Sequence, residues 1–507
     1  KQPADRPSRY EGTDASEPHR IAPPSACLFI MNTIKKSPVL IKMAMDEVRV
    51  AMVNQAFVPP GMEIGQTGAH LPALGLLMLA SAIEECDASM KGKIAYFDEE
   101  QLGLESCRFE VVKFLSGAKT GIVMLTTYTM THHRQIEFFE EMKRHDILTI
   151  AGGPHVTIHP ETSNADYVVR GEGVSAMRAI FPWKGSMPEA APGMVKLTKN
   201  PNECETRLIR VQRKLDPSMW PEPSFAYHLL PTDICHRASH KRNLANLRPM
   251  SILLSKGCPS ACHFCTSGSQ NGRWGVAPIK RFENDLRHLL EHHEVEAIEF
   301  HDDDLLAHPD IHELLAIVGN TNIPWTCYAR VNALVGPRGS AMAEAIAKAG
   351  CVRVFLGLEA MDNERLAFLG KQASVEDNFT AVSNLHEAGV EVAGAWIIGL
   401  PDDCTDTLDV ELERFLSLPL YSLDINILNL NPGASLTKKV VNGKIPLPSG
   451  IKISKAVELL PNPSLFGKGE PFGQPTLSVN LTKNELNDYA KAARRRTLLA
   501  GIGTARD

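Results

Sequence analysis

The chain has no apolar run long enough to cross a bilayer. Its longest, LPALGLLMLASAI from Leu71 to Ile83, falls short of the roughly 20 residues a spanning helix needs. It has no excess of either charge: 53 Lys and Arg stand against 59 Asp and Glu. That balance leaves no broad basic surface for nucleic acid or anionic lipid and points to a small-molecule partner. The cysteine usage of a secreted disulfide scaffold is also missing. The 11 Cys, odd in number and unevenly spaced over 507 residues, fit reduced thiols and a metal site in the cytoplasm.

What is present is enough apolar sequence, 44% of residues, to bury several cores, so two large domains with smaller pieces are expected. Residues 1–45 are Pro-rich, Ser-rich and charged without sustained periodicity, and are expected to be disordered. ACLFIMN within them is too short for a signal segment, and no small-residue cleavage pattern follows it. From Val48 the pattern changes. VRVAMVNQAF, GKIAYFD, GIVMLTTYT, LTIAGGP and ADYVVRGEG read as strands, alternating with helical patterns such as LPALGLLMLASAIEEC and HRQIEFFEEMKRH. This alternation predicts a parallel sheet over residues 46–182, covered on both faces and binding ligands beyond the carboxyl ends of its strands. Residues 183–245 are Pro-rich and read as a connector packed along the domain boundary. A second alternation, residues 246–430, supplies six strand–helix units, too few for a closed eight-fold barrel, so an open partial barrel is expected. Residues 431–507 are expected to cap the barrel mouth.

Two short stretches carry chemistry. In SKGCPSACHFCTSG, Cys258, Cys262 and Cys265 follow a predicted strand in a C-x3-C-x2-C run. Four-iron clusters normally take four thiolates, so three leave one iron open to substrate or cofactor. A structural zinc site is the alternative. Zinc in that role is closed by four protein ligands, whereas His263 lies inside the loop and Cys327 and Cys351 are distant in sequence. The second stretch is the Gly152-Gly153-Pro154 turn, where glycines after a strand let a bulky ligand lie against the backbone. The same sheet edge carries Gly61 to His70 and Thr126 to His133. His70, His132 and His133 are placed to approach a ligand there, with an ordinary loop role as the alternative.

These motifs resemble those of the cobalamin-dependent radical S-adenosylmethionine (SAM) enzymes, class B methyltransferase-like, over about Val48 to Leu430. The resemblance implies an α/β chain: a Rossmann-like, flavodoxin-like cobalamin-binding domain, then a partial (β/α)6 radical SAM barrel and a small C-terminal cap. It implies that Cys258, Cys262 and Cys265 hold a [4Fe-4S] cluster whose fourth iron is chelated by SAM, with Phe264 against the adenine. Asp302, Asp303 and Asp304 are then matched to the SAM amino group or ribose, Arg330 to its carboxylate and Glu359 to its ribose. Ile398 and Gly399 in AWIIGLP match the segment lining the adenine, although Ala395 replaces the usual first glycine. Thr126, Thr127, Gly152, Gly153, Pro154, His155 and Glu172 are matched to cobalamin. The D-x-H-x-x-G run that ligates cobalt is missing, which implies a base-off corrinoid without histidine below cobalt. DEEQLG, Asp98 to Gly103, has Glu in place of His and reads as a loop. The activity implied is methyl transfer from SAM via methylcobalamin to an unactivated carbon, or a phosphinate phosphorus, of a small biosynthetic intermediate, with flavodoxin or ferredoxin as external electron donor. Two alternatives are a radical oxidation, cyclisation or ring rearrangement without methyl transfer, and a corrinoid carrier or cobalamin sensor without catalysis.

Overall fold

The computed structural model describes residues 46–56, 72–129, 131–196, 219–231, 247, 249–267, 274–448 and 476–503. The expectations for residues 1–45 and for Gly61 to His70 lie outside them. In the first sheet β1 (Asp46–Asn54), β2 (Ile94–Asp98), β3 (Ala118–Thr126), β4 (Leu148–Gly152), β5 (Tyr167–Val169) and β6 (Met194–Lys196) run in the order β2-β1-β3-β4-β5-β6. All neighbours are parallel except β5 and β6. Strand β6 carries this sheet into the stretch read as connector.

The two-residue period of a strand explains why β1 is apolar throughout. Val50 and Met52 face one core, together with Leu77 of α1 (Leu74–Cys86). Ala51 and Val53 face another, with Val111 and Phe138. The stretch read as a loop after β2 is instead a one-turn helix, α2 (Glu99–Leu102). Asp98 accepts the Glu100 amide at 3.0 Å and so caps it. Three further helices, α3 (Leu104–Leu115), α4 (His132–Arg144) and α6 (Val174–Ile180), alternate with the strands, and α5 (Pro154–Ile158) follows β4.

The second sheet contains β7 (Pro249–Ile252), β10 (Ala297–Phe300), β11 (Trp325–Arg330), β12 (Cys351–Glu359), β13 (Glu391–Ile398) and β14 (Ser422–Ile427), all parallel and in chain order. Among the described residues β7 and β14 do not pair with each other, so the barrel is open. Its helices are α7 (Ile279–His292), α8 (Ile311–Gly319), α9 (Gly339–Lys348), α10 (Asn363–Leu369), α11 (Val375–Glu387) and α12 (Thr405–Leu416). Helix α7 buries Phe282, Leu286 and Leu289 at helical spacing.

Both sheets belong to one unit, Asp46–Asp507, and residues 219–231 join them. Ala226 donates to the Leu77 carbonyl at 3.1 Å, Ser224 to Asp285 of α7 at 2.7 Å, and Tyr227 Oη to the Ser251 carbonyl at 2.8 Å. Trp220, Phe225 and Tyr227 are buried between the sheets.

The C-terminal residues divide: Leu436 and Val440 of α13 (Ser435–Val441) pack with Phe264 and Leu369 at the barrel mouth, and residues 449–475 lie outside those described. Beyond α13, helix α14 (Lys483–Leu499) packs outside the barrel. Tyr489 donates to Asp409 of α12 at 3.0 Å and stands edge-on to Trp396, while Gly503 bridges to Ser422. The helix therefore covers the β14 edge of the sheet instead of capping the mouth.

A candidate cobalamin and iron–sulfur site

The cysteine loop leaves β7 through a two-stranded hairpin, β8 (Ser255–Lys256) and β9 (Gly275–Val276). Asp302, just past β10, fixes its start. The fully buried carboxylate accepts the Leu254 amide at 3.1 Å and both the amide and hydroxyl of Ser255 at 2.5 Å. Asp302, expected to touch SAM, is therefore spent inside the protein as a positioning group. The far side of the loop is fixed at His263. Its amide donates to the Leu369 carbonyl at 2.8 Å, its ring nitrogen lies 2.7 Å from the Phe368 carbonyl, and its own carbonyl receives the Leu436 amide at 2.8 Å. The ring is thus turned away from the cysteines.

Cys258, Cys262 and Cys265 are free thiols on this loop. Arg330 Nη1 donates to Cys262 Sγ at 2.9 Å, and the Ser267 amide to Cys265 Sγ at 3.4 Å. Burial pushes the Cys258 thiol up. Among the described residues no three His, Cys, Asp or Glu side chains converge as one metal ion requires. Phe264 packs against the mouth cluster of Leu369, Ile397 and Leu428. Strand parity decides the next residue: Ile397 faces Phe264, whereas Ile398, the expected one, joins the outer core with Trp396. Gly399, at φ +93°, donates to Asp403 and faces Leu486 of α14, so its role is in the turn.

The other acids remain at the mouth. Asp303 lines the cavity described below, and its carboxyl is raised by burial. Asp304, raised by burial to about 6, accepts the Arg330 amide at 3.3 Å. Glu359 has a left-handed backbone, φ +65°, and pairs with buried Lys371 at 3.0 Å. A Cβ at Gly357 would stand 2.6 Å from both partners, so a larger residue there would push the pair aside. Sequence reasoning missed Lys371, which no motif marks.

On the first sheet, a cavity of about 360 Å3 opens beyond the carboxyl ends of β3, β4 and β5. It is lined by Thr126, Gly152, Gly153, Pro154 and Glu172, and from the barrel by Ser255, Lys256, Gly257, His301 and Asp303. Lys256 pairs with Glu172 across the domains and lies 5.2 Å from the Trp220 ring centre. Gly153, at φ +99°, approaches so closely that a Cβ would sit 2.9 Å from the Thr127 amide. Thr127 and His155 do not line this cavity. Thr127 is buried and donates to Gln135 at 3.1 Å, and His155 lies between the hydroxyls of Thr129 and Thr162, at 3.2 and 2.9 Å. Burial drives His155 down to about 3, a neutral ring. His132 turns to the Thr162 carbonyl at 3.0 Å, and neither it nor His133 lines the cavity.

Comparison with known proteins agrees with this division. Residues 64–181 match the model of the B12 binding domain and residues 252–410 that of the radical SAM superfamily. An uncharacterized methyltransferase of Pyrococcus horikoshii is 28% identical over 74% of this chain and 78% of its own length. The hopanoid C-3 methylase of Methylococcus capsulatus is 27% identical over 52% of this chain and 48% of that protein, so the chain spans only about half of it. An anaerobic magnesium-protoporphyrin IX monomethyl ester cyclase of Rubrivivax gelatinosus is 24% identical over 31% of this chain and 28% of that protein. The solved radical SAM methyltransferase TsrM of Kitasatospora setae, with cobalamin and a [4Fe-4S] cluster, shares the fold. Its TM-score is 0.59 at 17% identity, covering 79% of this chain and 78% of that one.

The residues present fit both groups. A Cβ added at Gly75 meets nothing within 4 Å, and at Gly152 nothing nearer than 3.9 Å, so the cavity has open floor where side chains would intrude. Gly152→Leu is accordingly expected to lower cobalamin uptake about tenfold by filling that floor, with iron content unchanged; equal cobalt content by metal analysis would contradict this. Asp302 yields a second prediction. Burial raises its carboxyl to about 7, above the ordinary value near 4, so folding favours the protonated acid. The stability this gives is full below pH 4 and is lost as pH rises through 7. Between pH 5 and pH 8 the urea-unfolding free energy of D302N is expected to fall roughly 2–3 kcal/mol less than that of the wild type; equal slopes would contradict it. A B12 binding domain match and a radical SAM match thus stand in one chain around these residues, the domain pair of the cobalamin-dependent radical SAM enzymes.

Proposed function

We propose that the protein is a methyltransferase that moves a methyl group from SAM, by way of cobalamin, to an unactivated carbon, or less commonly a phosphinate phosphorus, of a small biosynthetic intermediate. The observation that carries the reading is the single cavity built jointly by the glycine turn of the first domain and by Ser255, Lys256 and Gly257, the residues leading into Cys258. When bound, the cluster supplies the electron that cleaves SAM and the corrinoid supplies methyl carriage, two reactions beyond the reach of side chains.

The chain's own residues bind and orient. Cys258, Cys262 and Cys265 would hold the cluster, leaving one iron for the amino and carboxylate groups of SAM. Arg330, whose guanidinium touches Cys262, would take the carboxylate. Asp303 and Asp304 would serve the amino group, Glu359 the ribose, and Phe264 with Ile397 the adenine. The Lys256–Glu172 pair ties the cysteine loop to the floor of the corrinoid cavity. In this reading the corrinoid is base-off and takes no ligand from His132 or His155, both of which are engaged elsewhere. A low-potential donor such as flavodoxin or ferredoxin supplies electrons, and the enzyme works in the reducing cytoplasm.

The partial likeness to a cyclase supports one second reading, a radical ring-forming reaction without methyl transfer. A single experiment separates the two. Oxygen-free reconstituted protein, given SAM and a chemical reductant, is expected to release stoichiometric S-adenosylhomocysteine, and the C258A/C262A/C265A variant to make no 5′-deoxyadenosine. 5′-Deoxyadenosine without S-adenosylhomocysteine would favour ring formation, and unchanged SAM turnover in the triple variant would overturn both readings.

A further inference from the structure

A second, smaller cavity of about 150 Å3 lies where the two domains meet. Thr129, His155 and His159 line it from the first domain; Thr266, next to Cys265, and Asn431, past β14, line it from the barrel. Pro154 is the one lining residue it shares with the larger cavity. His159 is 6% exposed, and its Nε2 is buried with no hydrogen-bond partner. Its neighbours differ: His155 is bonded at both ring nitrogens, and His132 to a carbonyl. A buried nitrogen left unpaired is costly, and in a native fold such an orphan calls for a water or ligand as its partner.

The other side of the ring says what that partner is. His159 Nδ1 lies 3.3 Å from Glu161 Oε1, and this bond is the main cause holding the Glu161 carboxyl below its usual range. A carboxylate only accepts, so it holds a ring proton on Nδ1, and in the neutral ring the Nε2 lone pair is the atom left without a partner in the wall of the cavity. No Lys or Arg is among the lining residues. With no cationic side chain in its lining and the Glu161 carboxylate behind His159, the cavity disfavours an anion. It admits a few non-hydrogen atoms, one end of a metabolite.

We propose that this cavity is a substrate subsite that takes a hydrogen-bond-donating group, a hydroxyl or an ammonium, received by His159 Nε2. The inference rests on the methyltransferase reading for the molecule to which that group belongs. His159, oriented by Glu161, is then a specificity-determining residue, and the substrate is an alcohol or amine and not an acid at that end.

The test uses the full chain with cluster and cobalamin bound, in its oxidised diamagnetic state, labelled with 15N at histidine. The His159 resonance is identified by its loss in H159Q. Ethanolamine is the donor probe and propionate the acid of similar size. Ethanolamine is expected to shift the His159 Nε2 signal saturably and propionate to leave it in place. N431L, on the opposite wall, is expected to weaken ethanolamine binding about tenfold, a loss of about 1.4 kcal/mol, which keeps the test decisive should H159Q fail to fold. No saturable shift, which would make this a water site only, a larger response to propionate, or an unchanged affinity in N431L would each overturn the proposal. S-adenosylhomocysteine release on the same preparation separates the two readings. Its absence with the shift retained overturns methyl transfer alone, and its presence without the shift overturns the subsite alone.

Discussion

Asp302 clamps the amides of Leu254 and Ser255 from within the barrel, and the positions of the chemistry-bearing residues follow from that clamp. Lys256 comes next in the chain and reaches Glu172 in the other domain; Gly257, at φ +75°, turns the backbone into Cys258. Burial of the carboxylate is costly, as its rise to about 7 records. The cost is offset by three donors that would otherwise be orphaned at the same depth. One acid at the end of β10 thus sets where the cysteine loop begins and how it meets the corrinoid cavity. His263, bonded to the end of α10 and to α13, sets where the loop returns.

Around this loop the barrel mouth holds more charge than a structural core needs. Arg330 bonds Cys262, Asn332 and the Lys371 carbonyl, while Lys371 bonds Glu359. Buried pairs of this kind add little net stability, and Arg330 and Glu359 are the residues proposed for the SAM carboxylate and ribose. The Lys371–Glu359 pair sits against Gly357, where a Cβ would displace it, and Glu359 itself has a left-handed backbone. Strain and desolvation concentrated in one place are the expected signature of a binding site.

The parts legible in the sequence were those that local spacing dictates. The three cysteines, the alternation of strands and helices, and the glycine turn after β4 all appear where the chain order puts them. Orientation was harder to read. Asp302, Asp303 and Asp304 are adjacent, yet one is spent on backbone amides, one lines the cavity and one supports Arg330. Ile397 and Ile398 differ only in strand parity, and the mouth takes Ile397. His155 followed the glycine turn in sequence but was turned into a nest of threonines by α5. Lys371 and the Glu161–His159 pair depend on contacts between distant elements, and nothing in their local sequence announces them. Nor does the C-terminal helix announce its place, which depends on the open β14 edge it covers.

The central claim is that three thiolates and a glycine-floored cavity hold two cofactors in one molecule. Metal analysis and electron paramagnetic resonance of oxygen-free protein, reconstituted with iron, sulfide and hydroxocobalamin and then reduced, test it most directly. The account predicts four irons and one cobalt per chain, with signals from a reduced [4Fe-4S] cluster and from base-off cob(II)alamin. Stoichiometric zinc on the cysteines, with no corrinoid retained, would contradict it.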